Sequence, residues 1–144
     1  MRHSILLPLI LILLVAACGP VSGDEVVRVA SPDGRIEAVL FETNGTSFGY
    51  EVQVLEKGKK AGDQVAKLYG AMRNDHAYGA NLRWASDTEL IVEFLEARDQ
   101  TLEKGIVRVA GRDVNVVLKP GVPDPDAPAG GMHFNLLRKK EVFD

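Results

Sequence analysis

Apolar and polar side chains alternate along several short segments of this chain, with a period of two residues. In one segment Ile36, Ala38 and Leu40 alternate with Arg35 and Glu37. A period of two places successive side chains on opposite faces of an extended strand, so the pattern predicts strands that are buried on one face. We expect seven or eight short strands, most of them near residues 26–30, 36–40, 50–55, 81–84, 90–95, 106–110 and 114–118.

Turn-forming residues separate these segments. Residues 31–34 read Ser-Pro-Asp-Gly, in which proline presets φ and glycine accepts the positive φ that closes a turn. Asn44-Gly45 is a hairpin signal, although residues 43–49 could also form a longer loop. Further turns are expected at residues 85–87 and 111–113. Short, mostly antiparallel strands joined in this way predict an all-β domain over residues 26–119, a small antiparallel β-sandwich or barrel.

Residues 64–80 fit two periodicities. Val65, Leu68 and Met72 have helical spacing, but the start of the segment also alternates as a strand would. Because Gly70 weakens a helix, we favour a strand that ends near Gly70.

The tail, residues 120–144, changes character part-way. Residues 120–131 are rich in proline and glycine, which predicts a loop across the surface rather than a core element. Met132, Phe134 and Leu136 then alternate with polar or small residues, so we expect one closing strand near the C-terminus.

Composition and charge exclude some classes of function. The chain has 144 residues and a formal net charge of −3, so it lacks the basic footprint that nucleic-acid binding needs. A single cysteine excludes an internal disulfide framework and CxxC-type metal or redox sites.

The first residues predict an export signal. Arg2 supplies positive charge, and residues 5–15 form an apolar run too short to span a bilayer, which takes roughly 20 residues. The run ends in Val-Ala-Ala at 15–17, directly before Cys18. One interpretation is an ordinary signal peptide that is cleaved before Cys18 and leaves Cys18 as a free thiol.

The segment from Val15 to Cys18 resembles the lipobox of bacterial lipoproteins. The resemblance implies that residues 1–17 are a signal peptide, that Cys18 carries the lipid chains, and that residues 18–25 hold the lipidated Cys18 and a short tether. It also implies a location in the cell envelope, anchored in the membrane through Cys18. Because Gly19 follows the cysteine, Gram-negative sorting would place the protein at the periplasmic face of the outer membrane.

The domain resembles small uncharacterised lipoprotein β domains. The resemblance is carried by the Ser-Pro-Asp-Gly turn at 31–34 and by a strand containing Trp84 that is followed by a turn at 85–87. It implies no particular activity, and we expect a non-catalytic domain without a cofactor or a bound metal. A protein or an envelope polymer is the expected partner.

The candidate binding loop is residues 69–81, where aromatic, basic and amide side chains are mixed. Mobile loops that carry such groups on a rigid sheet are where binding residues concentrate. The alternative is a solvated connection whose tyrosines cover the end of the sheet. The predicted binding residues are Tyr69, Arg73, Asn74, Asp75, His76 and Tyr78.

Two other functions remain open from the sequence. A hydrolase or metal-dependent enzyme would be built around His76, with Ser47 or Ser86 as a nucleophile and Asp75 or Asp87 as its partner, but no positioned nucleophile motif is present. A periplasmic enzyme inhibitor would present the 69–81 loop to an active site. Separately, Lys57, Lys59 and Lys60 are candidates for contact with anionic lipid near the anchor.

Overall fold

The computed structural model describes residues 23–43 and 48–136, and within these ranges the fold is all-β, as predicted. The predicted signal peptide, Cys18, Ser47, the Asn44-Gly45 pair and the basic tail after Leu136 lie outside the described residues. Eleven strands are present in the described ranges: β1 (Gly23–Ala30), β2 (Ile36–Thr43), β3 (Gly49–Glu56), β4 (Asp63–Tyr69), β5 (Met72–Asn74), β6 (Ala77–Tyr78), β7 (Asn81–Ser86), β8 (Glu89–Glu93), β9 (Asp99–Leu102), β10 (Ile106–Val109) and β11 (Arg112–Lys119).

The strands form two main sheets and one small one. Five strands pair antiparallel in the order β1-β2-β3-β4-β9, and four pair in the order β10-β11-β8-β7. In the second sheet two antiparallel hairpins are joined by a parallel pair between β8 and β11. The strands β5 and β6 form a separate two-stranded hairpin. The sheets are not closed, so the fold is sandwich-like rather than a barrel.

The core lies between the inner faces of the two main sheets. Alternate residues of most of the longer strands supply it, which is why the period of two was visible in the sequence. Tyr50 and Phe94 are the largest fully buried side chains, and β-branched residues fill most of the remaining volume. Trp84 joins the sheets at one edge, because its indole Nε1 donates a 2.9 Å hydrogen bond to the carbonyl of Val29.

The two ends of the sandwich are distinct. The register pairs Gly23 with Thr43, Thr43 with Gly49, Gly49 with Tyr69 and Tyr69 with Asp99, so these residues share one end, which we call the Gly23 end. The turn at residues 31–34 lies at the other end, which we call the Ser31 end. At ~3.3 Å per residue, an eight-residue strand such as β2 separates the two ends by about 23 Å.

The Ser31 end is held together across the two sheets by Asp33. Its carboxylate accepts a 2.8 Å hydrogen bond from the Ser31 hydroxyl and forms a 2.8 Å ion pair with Arg112, while its backbone N–H donates to Asp87. The hydrogen bond from Ser31 is the largest cause that lowers the pKa of Asp33 below its usual value. The turns after β7 and β10 therefore meet the turn after β1.

Residues 64–80 confirm the expectation of a strand ending near Gly70, since β4 ends at Tyr69. No sequence pattern predicted β5, β6 and β9, because they have only two to four residues each and no clear alternation. The turn between β10 and β11 was expected at residues 111–113 but lies one residue earlier. Val109 pairs with Arg112 and leaves Ala110 and Gly111 as the two loop residues.

The closing strand expected at 132–136 is wrong, because these residues form one helical turn. The N–H of Asn135 donates to the carbonyl of Gly131 at 3.0 Å, which is the spacing of an α-helix. Met132 and Asn135 are buried while Phe134 is exposed, so the alternation of apolar residues did not correspond to an inner and an outer face. The Glu42 carboxylate accepts the N–H of His133 at 2.8 Å and so favours the helical start.

Candidate functional site

The six residues predicted for the binding loop lie at the Gly23 end, and the structure divides them into two groups. Tyr69 ends β4 and is exposed, while Asp75 and His76 are exposed at the tip of the β5–β6 hairpin. The other three are partly buried and contact other segments of the chain: Arg73, Asn74 and Tyr78. Only the first group presents its side chains to solvent in the way the prediction required.

Arg73 is held by Asp124 in the proline-rich segment. Its Nε donates to the Asp124 carboxylate at 3.1 Å, its Nη2 donates to the same oxygen, and Asn81 donates to that oxygen at 2.9 Å. Burial opposes ionisation of Asp124, but the hydrogen bonds from Asn81 and Arg73 outweigh it and hold its pKa below the usual value. The third Arg73 nitrogen, Nη1, lies 3.2 Å from the sulfur of Met132.

Asn74 completes the attachment of residues 120–131, which we call the 120–131 segment. Its Nδ2 donates to the carbonyls of Asp124 and Ala127, at 2.9 and 2.8 Å. Its Oδ1 accepts the backbone N–H of His76. Proline lacks an N–H, so this proline-rich segment cannot form a regular ladder. Scattered backbone hydrogen bonds, such as the one from the Asp124 N–H to the Arg73 carbonyl at 2.8 Å, and the side chains of β5 hold it together. Arg73 and Asn74 are therefore positioning residues.

A shallow groove of about 320 Å³ runs over the outer face of the five-stranded sheet at the Gly23 end. The register places Gly49, Tyr69 and Asp99 in one row across the strands, and Glu51, Lys67 and Thr101 in the next. At one side of it Gly49 packs closely against Thr43, since a Cβ at Gly49 would collide with the Thr43 hydroxyl. We call this the first groove; charged and hydroxyl groups line most of it, and Tyr69 supplies its exposed aromatic ring.

A second groove, of about 410 Å³, lies on the other side of Gly70. Met72, Tyr78 and the segment 96–98 line it. Between the two grooves, the Arg98 guanidinium lies over the Tyr69 ring at 5.7 Å from the centroid, and the Arg98 N–H donates to the Tyr69 carbonyl at 2.9 Å. We call this pair the Tyr69–Arg98 ridge. Both side chains are exposed, so a ligand could contact them from either groove.

Exposed apolar side chains form a cluster next to the second groove. The rings of Phe48 and Tyr78 are 4.6 Å apart, centroid to centroid. Gly131 makes room for Phe48, since a Cβ at Gly131 would lie 2.8 Å from the Phe48 ring, and Gly130 does the same for Phe134 at 3.0 Å. We call Phe48, Tyr78, Phe134 and the nearby Leu136 the apolar tip.

Beneath the apolar tip, Tyr50 and Glu42 are close enough to interact electrostatically. Burial is the main cause that raises the pKa of Tyr50, and the Glu42 carboxylate acts in the same direction. Tyr50 is therefore neutral at physiological pH and belongs to the core under the site.

The structure does not bring His76 close to the catalytic partners that the sequence suggested at residues 86 and 87. Ser86 and Asp87 lie near the Ser31 end, where Asp87 accepts the N–H of Asp33, whereas the His76 carbonyl accepts the N–H of Gly130 at the Gly23 end. Most of a strand length separates His76 from Ser86 and Asp87, so these three residues do not form one site.

In residues 23–43 and 48–136, no group of three or more His, Cys, Asp or Glu side chains is arranged to hold a metal ion. The described ranges also contain no helix that is both long and apolar enough to cross a membrane.

No known protein family, curated protein or solved structure matches this chain. The candidate site therefore rests on the geometry of the chain itself.

Sequence reasoning missed the partner of Tyr69 and the apolar tip. Arg98 is 29 positions after Tyr69, and Phe134 is 86 positions after Phe48. Nothing in the local pattern joins these pairs; the β4–β9 pairing and the two glycines at 130 and 131 bring them together. The one sequence feature that pointed to the apolar tip is the Gly130-Gly131 pair, because glycines often mark a place where another group lies close to the backbone.

Proposed function

We propose that this chain is a bacterial envelope lipoprotein, anchored through lipid on Cys18, whose β domain binds an envelope polymer and performs no reaction. The apolar run at 5–15 and the Val-Ala-Ala-Cys sequence at 15–18 support the anchor. With residues 1–17 removed, lipid chains on Cys18 would hold the domain firmly, since stable anchoring takes two or more chains.

The observation that carries the binding proposal is the meeting of two open grooves at the Tyr69–Arg98 ridge. A small metabolite is usually enclosed in a deep pocket, whereas these grooves are shallow and lie side by side. A long ligand can lie across both. Tyr69 offers an apolar ring face together with a hydroxyl, and Arg98 offers a charge suited to a carboxylate. The carboxylates that also line the grooves, Glu51, Glu96 and Asp99, can accept hydrogen bonds from sugar hydroxyls. A glycan that carries both hydroxyls and carboxylates fits this surface.

Co-sedimentation with insoluble peptidoglycan tests this proposal. The protein is made as Cys18→Ser, so that it is soluble without detergent, and is compared with the same protein carrying Tyr69→Ala and Arg98→Ala. Tyrosine and arginine often dominate binding energy, so we expect the double variant to bind at least about tenfold more weakly. Arg83→Ala is the matched control, because Arg83 is an exposed, ion-paired arginine on the other sheet.

Two results would contradict the proposal. One is wild-type protein that does not sediment with the polymer; the other is a double variant that binds as well as Arg83→Ala. A pull-down from detergent-solubilised envelope, with residues 24–144 as bait, identifies the competing case. If the wild-type bait captures a protein that the variant with Tyr69→Ala and Arg98→Ala does not capture, the partner is that protein and not a polymer.

The anchor is tested separately by fractionation. We expect a much larger share of wild-type protein than of Cys18→Ser to remain with membranes after a high-salt wash. Wild-type protein that the wash releases as readily as Cys18→Ser, or whose mass shows no lipid on Cys18, would contradict lipid attachment at Cys18.

A further inference from the structure

The chain enters the domain at the same end as the apolar tip. β1 begins at Gly23, which pairs with Thr43. Glu42, the next residue of β2, accepts the N–H of His133, beside the helical turn that carries Phe134. Five peptide units separate Cys18 from Gly23, and at ~3.3–3.6 Å per residue they reach at most about 18 Å. Lipid on Cys18, as proposed above, therefore keeps the Gly23 end close to the bilayer.

Exposed apolar side chains are concentrated at this end. Phe48, Tyr69, Phe134 and Leu136 are four of the seven large hydrophobic residues that are exposed within the described ranges, and Phe134 is 49% exposed. The other three, Leu102, Ile106 and Val117, lie along strands, and none of the seven is in the turns of the Ser31 end. Neighbouring aromatic residues are enriched where a protein meets the membrane interface, because their rings prefer the boundary between headgroups and acyl chains.

Several contacts hold the apolar tip against the domain. Phe48 and Tyr78 contact each other, Gly130 and Gly131 let the two phenylalanine rings lie against the backbone, and the Glu42 carboxylate accepts the N–H of His133 at the start of the helical turn. Side chains that are already positioned lose less conformational entropy when they enter an interface. Phe48 and Phe134 are thus exposed while they pack against the backbone at Gly130 and Gly131.

We propose that Phe48, Phe134 and Leu136 of the apolar tip insert into the interfacial region of the lipid bilayer beside the anchor, and so fix how the domain stands on the membrane. Tyr78 is partly buried against Phe48 and stays on the wall of the second groove. This inference rests on the proposed lipid anchor but adds a second, direct contact with lipid. The proposal also removes the lipid contact that the sequence suggested for the basic loop. Lys57 follows β3 at the Ser31 end, and Lys59 and Lys60 come shortly after it. These lysines point away from the membrane that the sequence suggested they touch.

Tryptophan fluorescence in lipidated protein tests the orientation. Trp84, the only tryptophan, is first changed to phenylalanine. The protein then carries either Phe134→Trp or, as a control at the Ser31 end, Lys57→Trp, and is reconstituted into vesicles of phosphatidylethanolamine and phosphatidylglycerol that contain brominated lipid. We expect Phe134→Trp to emit further to the blue and to be quenched several-fold more strongly than Lys57→Trp.

A second experiment removes the anchor and asks whether the tip binds alone. Cys18→Ser protein is floated with vesicles of the same two lipids, with and without Phe48→Ser and Phe134→Ser. Losing two aromatic side chains of this exposure should lower the vesicle-bound fraction about tenfold. Ile106→Ser is the matched control, because Ile106 is 68% exposed on β10, away from the tip.

The outcomes separate the two proposals. Protein that floats with vesicles through its lipid, but in which Phe134→Trp is quenched no more than Lys57→Trp, overturns insertion of the tip and leaves the anchor standing. Wild-type protein that does not float at all overturns the anchor. If Ile106→Ser reduces binding as much as the change at Phe48 and Phe134, the contact is non-specific and the tip proposal fails.

Discussion

Removal of the Asp124 charge should weaken the fold more than any other single charge change at the Gly23 end. The carboxylate accepts hydrogen bonds from two nitrogens of Arg73 and one of Asn81, and the side chains of Arg73 and Asp124 are only 15% and 17% exposed. Asp124→Asn keeps the shape and one acceptor oxygen but leaves the guanidinium without its counter-charge. Hydrogen bonds to charged groups contribute ~1.5–3 kcal/mol, and breaking a buried pair costs ~3–5 kcal/mol, so we expect a loss of about 2–3 kcal/mol.

The assay is urea unfolding at neutral pH, followed by circular dichroism. Asp126→Asn is the matched control, since Asp126 is exposed two positions further along the same segment. At this domain size the expected loss for Asp124→Asn corresponds to a fall of about 10 °C in Tm. A double-mutant cycle with Arg73→Gln should give a coupling free energy of about 1–2 kcal/mol between the two side chains.

The same reasoning fixes the sign of a pH effect. Because the pKa of Asp124 is lowered in the folded protein, its contribution to stability is complete above the unfolded pKa of about 3.9 and disappears as the pH falls through the folded value. The stability difference between wild type and Asp124→Asn should therefore shrink as the pH is lowered below about 4. A variant within about 0.5 kcal/mol of wild type at pH 7, or a difference that grows in acid, would refute the reasoning.

Three further substitutions have expected effects on stability. Ala110 has φ of 49°, in the left-handed region that asparagine tolerates better, so Ala110→Asn should raise the free energy of unfolding by about 0.5–1 kcal/mol in urea titrations. A Cβ at Gly62 would lie 2.3 Å from the Val54 carbonyl oxygen, so Gly62→Ala should cost about 1–3 kcal/mol, visible as a lower Tm. Trp84→Phe removes the bond to the Val29 carbonyl, and calorimetry should show a loss of about 1 kcal/mol; no change would mean that the bond between the sheets contributes nothing.

The parts of the fold that sequence predicted are those set by local alternation. Ile36, Ala38 and Leu40 lie in the core and Glu37 between them is only half-buried, although Val39 on the other face is buried as well. The turn at 31–34 is set by its own proline, aspartate and glycine. The strand ending near Gly70 followed from the conformational cost of that glycine in a helix. In each of these cases the deciding interaction lies within a few residues.

The parts that sequence could not predict depend on contacts between distant residues. Arg73 looked like a binding residue because its partner, Asp124, is 51 positions away. The segment at 132–136 alternated as a strand would, but the carboxylate of Glu42, 91 positions from His133, favours a helical start. Local pattern carries no information about either pairing, so the sequence could not separate the residues that hold the 120–131 segment from those that face solvent.

At the Gly23 end, the residues that stabilise the fold differ from the residues that we propose bind the ligand. Arg73 follows Met72, which lines the second groove. The Tyr78 N–H donates to the Gly130 carbonyl and the Gly130 N–H donates to the His76 carbonyl, so the 120–131 segment also holds the strand that carries Tyr78. The Arg73–Asp124 contact therefore shapes one wall of the second groove. A change at Asp124 should therefore lower stability and binding together. Tyr69 and Arg98 are exposed and lie outside the core, so their removal should lower binding while leaving the unfolding free energy within about 0.5 kcal/mol of wild type. Only a surface built for a ligand predicts both results; a solvated connection predicts that neither change affects binding.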